Sequence, residues 1–236
     1  MVNQPWLPEA NYRILRFLFS VVGHRSFTDT LFDFLTLNHL VTTWMFAAGF
    51  YVYWQIADER TRWRRALLTQ TVAAFAVAVA ITLVVRPWIH WPAPSLNAKF
   101  RTLYPAYFWG NGSYDSFPSH STLAYLMVAI GIWPFNRRLS AILVVLVLAL
   151  ISFPRIFVGG HYPIDVAASV VLGTAFVLLG WRWTVPARVT NWLVASGRAA
   201  VVREILVIFW VFELAEEFRG LTNLVFQIRH YYLRWP

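Results

Sequence analysis

The chain contains no cysteine and a single lysine, Lys99, and only 13% of its 236 residues are charged. The missing thiols exclude a disulfide framework, a cysteine nucleophile and a thiolate metal site. Acids are scarce as well, 11 against 19 arginines and that one lysine, which leaves a net charge of +9. No Gly/Ser or Pro-rich linker, low-complexity tract or internal repeat interrupts the chain, so a single domain over 1–236 is expected. The first 25 residues show neither a basic n-region nor a small-residue cleavage site, and no cleaved signal peptide is expected.

What is present is apolar. Hydrophobic residues make up 58% of the sequence and aromatics 18%, with 13 tryptophans and a mean hydropathy of +0.53. That composition describes an integral membrane protein rather than a water-soluble enzyme. A bilayer core of about 30 Å needs roughly 20 apolar residues in a helix. Residues 37–57 and 66–85 meet that length, and 120–135, 139–154 and 165–181 are shorter but extendable. Residues 11–35 place apolar positions at helical spacing among polar ones, the pattern of helices lying in the interface. The stretch 203–228 is interrupted by Glu213, Glu216, Glu217 and Arg219, so it reads equally as a span with acids turned inward or as an interfacial helix. The expected architecture is all-α: a membrane bundle of five or six spans, with interfacial helices over 1–36, core spans over 37–183 and a final helix over 203–228.

Basic residues cluster in alternate connections: Arg60, Arg62, Arg64 and Arg65; Arg137 and Arg138; Arg182, Arg188, Arg198 and Arg203. The positive-inside rule places these in the cytoplasm and turns the 87–119 and 155–164 connections outward. Topology accounts for the charge, and no nucleic-acid partner is expected.

The outward connections hold the unusual polar residues. "PRIFVGGHYPID" spaces Arg155, His161 and Asp165 as R-x5-H-x3-D. Helical spacing at the start of a span sets His161 and Asp165 about one turn apart. A carboxylate there can hold one imidazole nitrogen and leave the other to attack. Arg155 offers a planar, permanently charged fork for phosphate oxygens. In "SFPSHSTLAY", residues 116–125, Ser116 is a candidate cap and Pro118 suits a first helical turn. The N–H groups near Ser119, His120 and Ser121 then form an anion-binding helix start.

These motifs resemble the type 2 phosphatidic-acid phosphatase superfamily, whose three motifs read K-x6-R-P, P-S-G-H and S-R-x5-H-x3-D, and within it the undecaprenyl pyrophosphate phosphatases of the bacitracin-resistance type. The third motif falls on Arg155, His161 and Asp165, with Pro154 at the serine position. The second sets Ser119 on the motif serine, His120 on the glycine or aspartate position and Ser121 on the general-acid histidine. In the first, "RPWIHWPAP" puts Arg86 at the lysine position and Pro94 at the terminal proline, leaving Ala93 where the family has arginine. The other alignment uses Arg86–Pro87 and puts Val79 at the lysine position. Lys99, Arg101 and His90 are candidate substitutes for the lost cation.

The resemblance implies a phosphatase for a polyisoprenyl or other lipid (pyro)phosphate, facing outward from a bacterial inner membrane, with no cofactor and no metal. His161 would be the nucleophile that becomes a phosphohistidine, Asp165 its orienting acid and His120 the proton donor. Arg86, Ser119, Ser121 and Arg155 would hold the phosphate. A lipid phosphotransferase and a non-catalytic lipid-phosphate binder are the alternatives.

Overall fold

The computed structural model describes residues 9–37, 48–55, 62–89, 91–109, 115–183, 186–193 and 197–215, and every regular element among them is helical. Two amphipathic helices, α1 (Glu9–Val22) and α2 (Ser26–Leu37), open the chain. Gly23, at φ 66°, makes the turn between them and donates its N–H back to Phe19 O at 3.0 Å, a left-handed helix stop that suits glycine. Residues 48–55 form α3, followed by the long α4 (Arg62–Ile89). The connection after α4 holds a 3-10 turn (Pro94–Leu96), the short α5 (Ala98–Arg101) and a second 3-10 turn (Ala106–Phe108). Then come α6 (His120–Gly131), α7 (Arg137–Leu146) running through a π-helical stretch (Val147–Ser152) into α8 (Phe153–Phe157), α9 (Pro163–Gly180), α10 (Ala187–Leu193) and α11 (Arg198–Ala215).

Among the described residues three helical stretches are long and apolar enough to cross a bilayer: Trp63–Thr82, Arg137–Phe157 and Pro163–Gly180. The expected span at 120–135 is represented by the 12-residue α6, about 18 Å at 1.5 Å per residue. Most of the expected first span, and the last one beyond Ala215, lie outside the described residues.

Helix α6 is the axis of the bundle, packed against α4, α7 and α9. Every residue from Ser121 to Ala129 is buried, as befits a helix that is apolar on all sides. Lipid is as apolar as leucine, so close packing and hydrogen bonds between helices must hold such a bundle together. At Gly180 an added Cβ would stand 2.7 Å from Ala74 Cβ, so α9 and α4 touch through backbone. Trp181 Nε1 donates to Thr71 Oγ1 at 3.1 Å and Ser140 Oγ to Ala129 O at 2.7 Å, joining α9 to α4 and α7 to α6.

The bundle has two chemically distinct ends. At one, Arg65 Nε donates to Trp54 O at 3.2 Å and the Arg203–Glu204 pair closes at 3.1 Å, and Phe135, just before the exposed Arg137 and Arg138, meets Tyr53 and Trp63. At the other, the starts of α6 and α9 meet the end of α8. The sequence suggests that Arg155 sits in the connection after a span; instead it lies in the last helical turn, because the π-helical stretch carries the helix through Pro154. Widened i to i+5 bonding makes room for a residue without an N–H.

Gly159 is the residue that lets the chain leave that turn. Its φ is +81°, and an added Cβ would meet Ser95 Cβ at 2.9 Å and Tyr104 Cε1 at 3.1 Å. Gly159→Ala therefore combines backbone strain with a clash. It is expected to cost roughly 1–3 kcal/mol, read as a lowered thermal midpoint of the detergent-solubilised protein.

Candidate active site

The turn from Arg155 to His161 is fastened by its own backbone. The Arg155 carbonyl accepts from Gly160 N at 2.9 Å and His161 N at 3.2 Å, and Ser95 N donates to Gly159 O at 3.1 Å. Tyr104 Oη donates to Ile156 O at 3.2 Å. Burial pushes that phenol well above its ordinary pKa, and the neighbouring Tyr162 adds to the shift, so it stays a donor. Arg155 is only 7% exposed, and its guanidinium donates to Ile151 O at 3.4 Å. A cation this deep is costly without compensating charge.

His161 and Asp165 come together at the start of α9, though without the direct bond that the spacing suggests. Their nearest approach is 3.6 Å, from Nδ1 to Oδ2, beyond hydrogen-bond length. His161 Nδ1 instead lies 2.9 Å from the Ser116 carbonyl. A carbonyl can only accept, so Nδ1 carries the proton and Nε2 the lone pair. Ser116 Oγ in turn donates to Asp165 Oδ2 at 3.0 Å, and Tyr162 N donates to the same oxygen at 2.9 Å. Asp165 is fully buried; its Oδ1 has no hydrogen-bond partner among the described residues. The carboxylate sits within the first turn of α9, where the helix dipole favours negative charge. It thus orients the histidine through Ser116.

Ser116 is accordingly not the cap of the following helix. Ser119 occupies that place, and Pro118 lies just before it rather than inside the first turn. The Phe117–Pro118 peptide bond is cis. Ser119 is fully buried, and its Oγ bonds Thr122 Oγ1 at 2.9 Å. Thr122 passes the chain to Ser152 Oγ at 2.8 Å, so α6 is pinned to the π-helical stretch.

The starts of α6 and α9 are joined by a residue that sequence spacing passes over. Ser169 Oγ lies 2.9 Å from Ser119 O and 2.7 Å from Asp165 O. Its only sequence signal is a polar residue one helical turn after Asp165. His120 stands at the first position of α6, half-buried, and Ser121, the next residue, is buried. Both helix starts lie beside the turn that carries Arg155 and His161: α9 follows it directly, and the Ser116 carbonyl just ahead of α6 meets His161 Nδ1.

Of the remaining cation candidates, Lys99 and Arg101 have partners of their own. Arg86 belongs to the last turn of α4, and its side chain, like all of His90, lies outside the described residues. Lys99 pairs with Glu9 at 3.4 Å, largely exposed. Arg101 stacks on the Trp109 ring at 3.9 Å. Ala93 is fully buried before the Pro94 turn. Tyr162 lies between Trp91 and Phe100, with ring centroids 5.9 and 5.0 Å away. Burial and then the Asp165 charge push its phenol up, against a smaller pull from Asn97, so it is a wall of the site and not an acid at neutral pH.

An imidazole bound through Nδ1 to a carbonyl, a buried guanidinium and two helix starts beside one turn make an arrangement whose chemistry can serve phosphoryl transfer. The comparisons agree with that chemistry. Residues 67–188 match the model of the PAP2 superfamily, a range that includes the whole cluster. The undecaprenyl-diphosphatase BcrC of Bacillus subtilis (strain 168) is 28% identical over 174 residues, 74% of this chain and 84% of that protein. The bacitracin transport permease protein BcrC of Bacillus licheniformis is 32% identical over 141 residues, 59% of this chain and 64% of that protein. No solved structure matches.

Proposed function

Since the chain belongs to the PAP2 superfamily, we propose that it is a membrane lipid phosphatase that removes phosphate from a polyisoprenyl or other lipid (pyro)phosphate through a phosphohistidine on His161. The observation that carries this reading is the relay from Asp165 Oδ2 through Ser116 to His161 Nδ1, which leaves the lone pair on Nε2 at the end of the turn that begins at the buried Arg155. In the first step the Nε2 lone pair attacks phosphorus, an N–P bond forms, and the P–O bond to the lipid or lipid phosphate breaks. The leaving oxygen takes a proton from His120. In the second step water attacks the phosphohistidine, gives its proton back to His120, and the N–P bond breaks to release phosphate.

Arg155 and the N–H groups at the start of α6 stabilise charge on the equatorial oxygens, where most of the catalytic effect of phosphoryl transfer lies. Arg86 is the first-motif cation in this scheme, and Ser119 and Ser121 shape the helix start. No metal takes part. The similarity to a protein named undecaprenyl-diphosphatase supports a polyisoprenyl diphosphate as substrate. Arginine placement supports a multi-pass protein of the bacterial inner membrane with the site facing outward.

The test is phosphate release by the purified protein across a panel of lipid mono- and pyrophosphates, with EDTA present throughout. Release is expected from at least one lipid; binding without release across the panel would favour a lipid-phosphate binder. That second reading draws on one observation, Ser121 at the acid position, since a serine is a poor acid near neutral pH. Product analysis with added lipid or sugar acceptors separates hydrolysis from phosphotransfer.

His120→Ala bears directly on this point. Loss of general-acid assistance is expected to lower kcat by about 10²- to 10⁴-fold, and full activity would remove His120 from the mechanism. Ser116→Ala keeps the carbonyl that holds His161 but takes one donor from a buried carboxylate, a loss of about 1–3 kcal/mol. Expressed in the transition state, this is roughly a 10- to 100-fold fall in kcat, measured beside the wild type under saturating lipid.

A further inference from the structure

A second histidine and carboxylate lie behind the site, outside all three motifs. His24, in the turn between α1 and α2, has Nδ1 3.0 Å from Asp29 Oδ1. Asp29, in the first turn of α2, is 6% exposed. Its other oxygen accepts the Tyr107 hydroxyl from the connection after α4. The Tyr107 phenol is pushed up to about 12, first by lost hydration and then by Asp29 itself. One carboxylate thus ties together the α1–α2 turn, α2 and the loop that precedes α6. The turn is braced further, with Thr28 Oγ1 donating to Gly23 O at 3.2 Å and accepting from Arg25 N at 3.1 Å.

The His24 ring is directed at the catalytic turn. Its centroid is 4.6 Å from Phe157, with Phe19 at 4.8 Å, Phe108 at 6.0 Å and Tyr104 at 6.2 Å. Phe157 is two residues past Arg155 and 1% exposed, and it also meets Phe32 at 4.6 Å. The intervening residue, Ile156, is held through its carbonyl by Tyr104. A buried carboxylate is a costly way to fill space, since an apolar pair of similar volume would serve packing as well or better. What the pair adds is direction: His24 Nε2 has no hydrogen-bond partner among the described residues, so the bond at Nδ1 sets the plane of the ring.

From this we infer that His24 and Asp29, with Tyr107, are positioning residues: a clamp that seats Phe157 and so fixes the guanidinium of Arg155 against the phosphate. The clamp rests on the proposed role of Arg155 as a phosphate ligand. It makes the N-terminal helices part of the catalytic apparatus, acting on turnover from behind the site.

The test uses the full-length protein in detergent, with orthovanadate as the oxyanion probe and lipid turnover as the second readout. His24→Phe keeps a ring in the aromatic box but removes the bond to Asp29. Asp29→Asn removes the charge. The double variant removes both, leaving no buried carboxylate that could unfold the single His24 variant. Each is expected to bind vanadate about 10-fold more weakly and to lose a similar factor in kcat with KM little changed, short of the 10² that an ångström of misplacement costs. The double variant should keep the wild-type melting temperature and be no worse than either single one, because the two residues act as one unit. Wild-type vanadate affinity and kcat in a folded double variant would overturn the clamp while leaving the proposed function intact. Failure of wild-type protein to bind vanadate would remove the phosphate site itself, and with it both readings.

Discussion

His161→Ala is expected to reduce phosphate release by a factor on the order of 10⁴ to 10⁶, the scale seen when a covalent nucleophile is removed. The size follows from the mechanism. Without Nε2 there is no N–P bond to divide the displacement into two easier steps, and the helix starts and Arg155 can only bind the ground state. KM should change little, because the imidazole touches phosphorus chiefly in the transition state. The variant should also fold. Among the described residues the His161 side chain makes one hydrogen bond, to a backbone carbonyl, and Asp165 keeps Ser116 Oγ and Tyr162 N as donors when the ring is gone. A variant that loses turnover while retaining its melting temperature and its KM therefore isolates the chemical step. Unchanged turnover would remove His161 as nucleophile.

The second large effect is expected at Arg155. Its guanidinium is 7% exposed and donates to Ile151 O of its own helix, so its direction is set before substrate arrives. Removing one such preorganised donor costs about 10²- to 10³-fold in kcat, and Arg155→Ala should fall in that range. Arg155→Lys discriminates further. An ammonium keeps the charge but lacks the planar fork that spans two phosphate oxygens. Lysine is therefore expected to recover only a small part of the loss, whereas full recovery would show that charge alone suffices. Measuring kcat and KM for both variants beside the wild type separates these outcomes.

The sequence-to-structure relation differs sharply from one part of the site to the next. R-x5-H-x3-D is legible because its geometry is local: one helical turn brings Asp165 near His161, and glycines at 159 and 160 announce a turn. The all-helical architecture is legible for a similar reason, since apolar runs of bilayer length admit little else. Ser116 is different. A serine three residues before Ser119 reads naturally as a cap, yet its carbonyl and hydroxyl serve His161 and Asp165, 45 and 49 residues away in the chain. Such a meeting depends on how α6 docks on α9, which no local pattern encodes. The π-helical stretch before Arg155 is equally silent in "VLALIS", where an ordinary apolar run hides a change in hydrogen-bond step. The clamp at His24 was invisible for the same cause: Tyr107 and Asp29 are 78 residues apart.

The departures from the superfamily pattern also gain physical content. In the alignment that sets Arg86 at the lysine position, Ala93 falls on the arginine position of the first motif, and it is fully buried at the start of a 3-10 turn, where a guanidinium would be costly to bury. His120, at the first position of α6, is only half-buried, whereas Ser121 is turned into the bundle at 7% exposure.

The most direct test of the proposed mechanism is to trap the covalent intermediate. Purified protein is mixed with lipid pyrophosphate labelled in its terminal phosphate, quenched in alkali within the first turnover to preserve an acid-labile N–P bond, and digested for peptide mapping. The account predicts label on the peptide carrying His161, absent from His161→Ala and accumulating in His120→Ala if water attack also needs that residue. Phosphate release without any labelled histidine, or label on a residue other than His161, would contradict it.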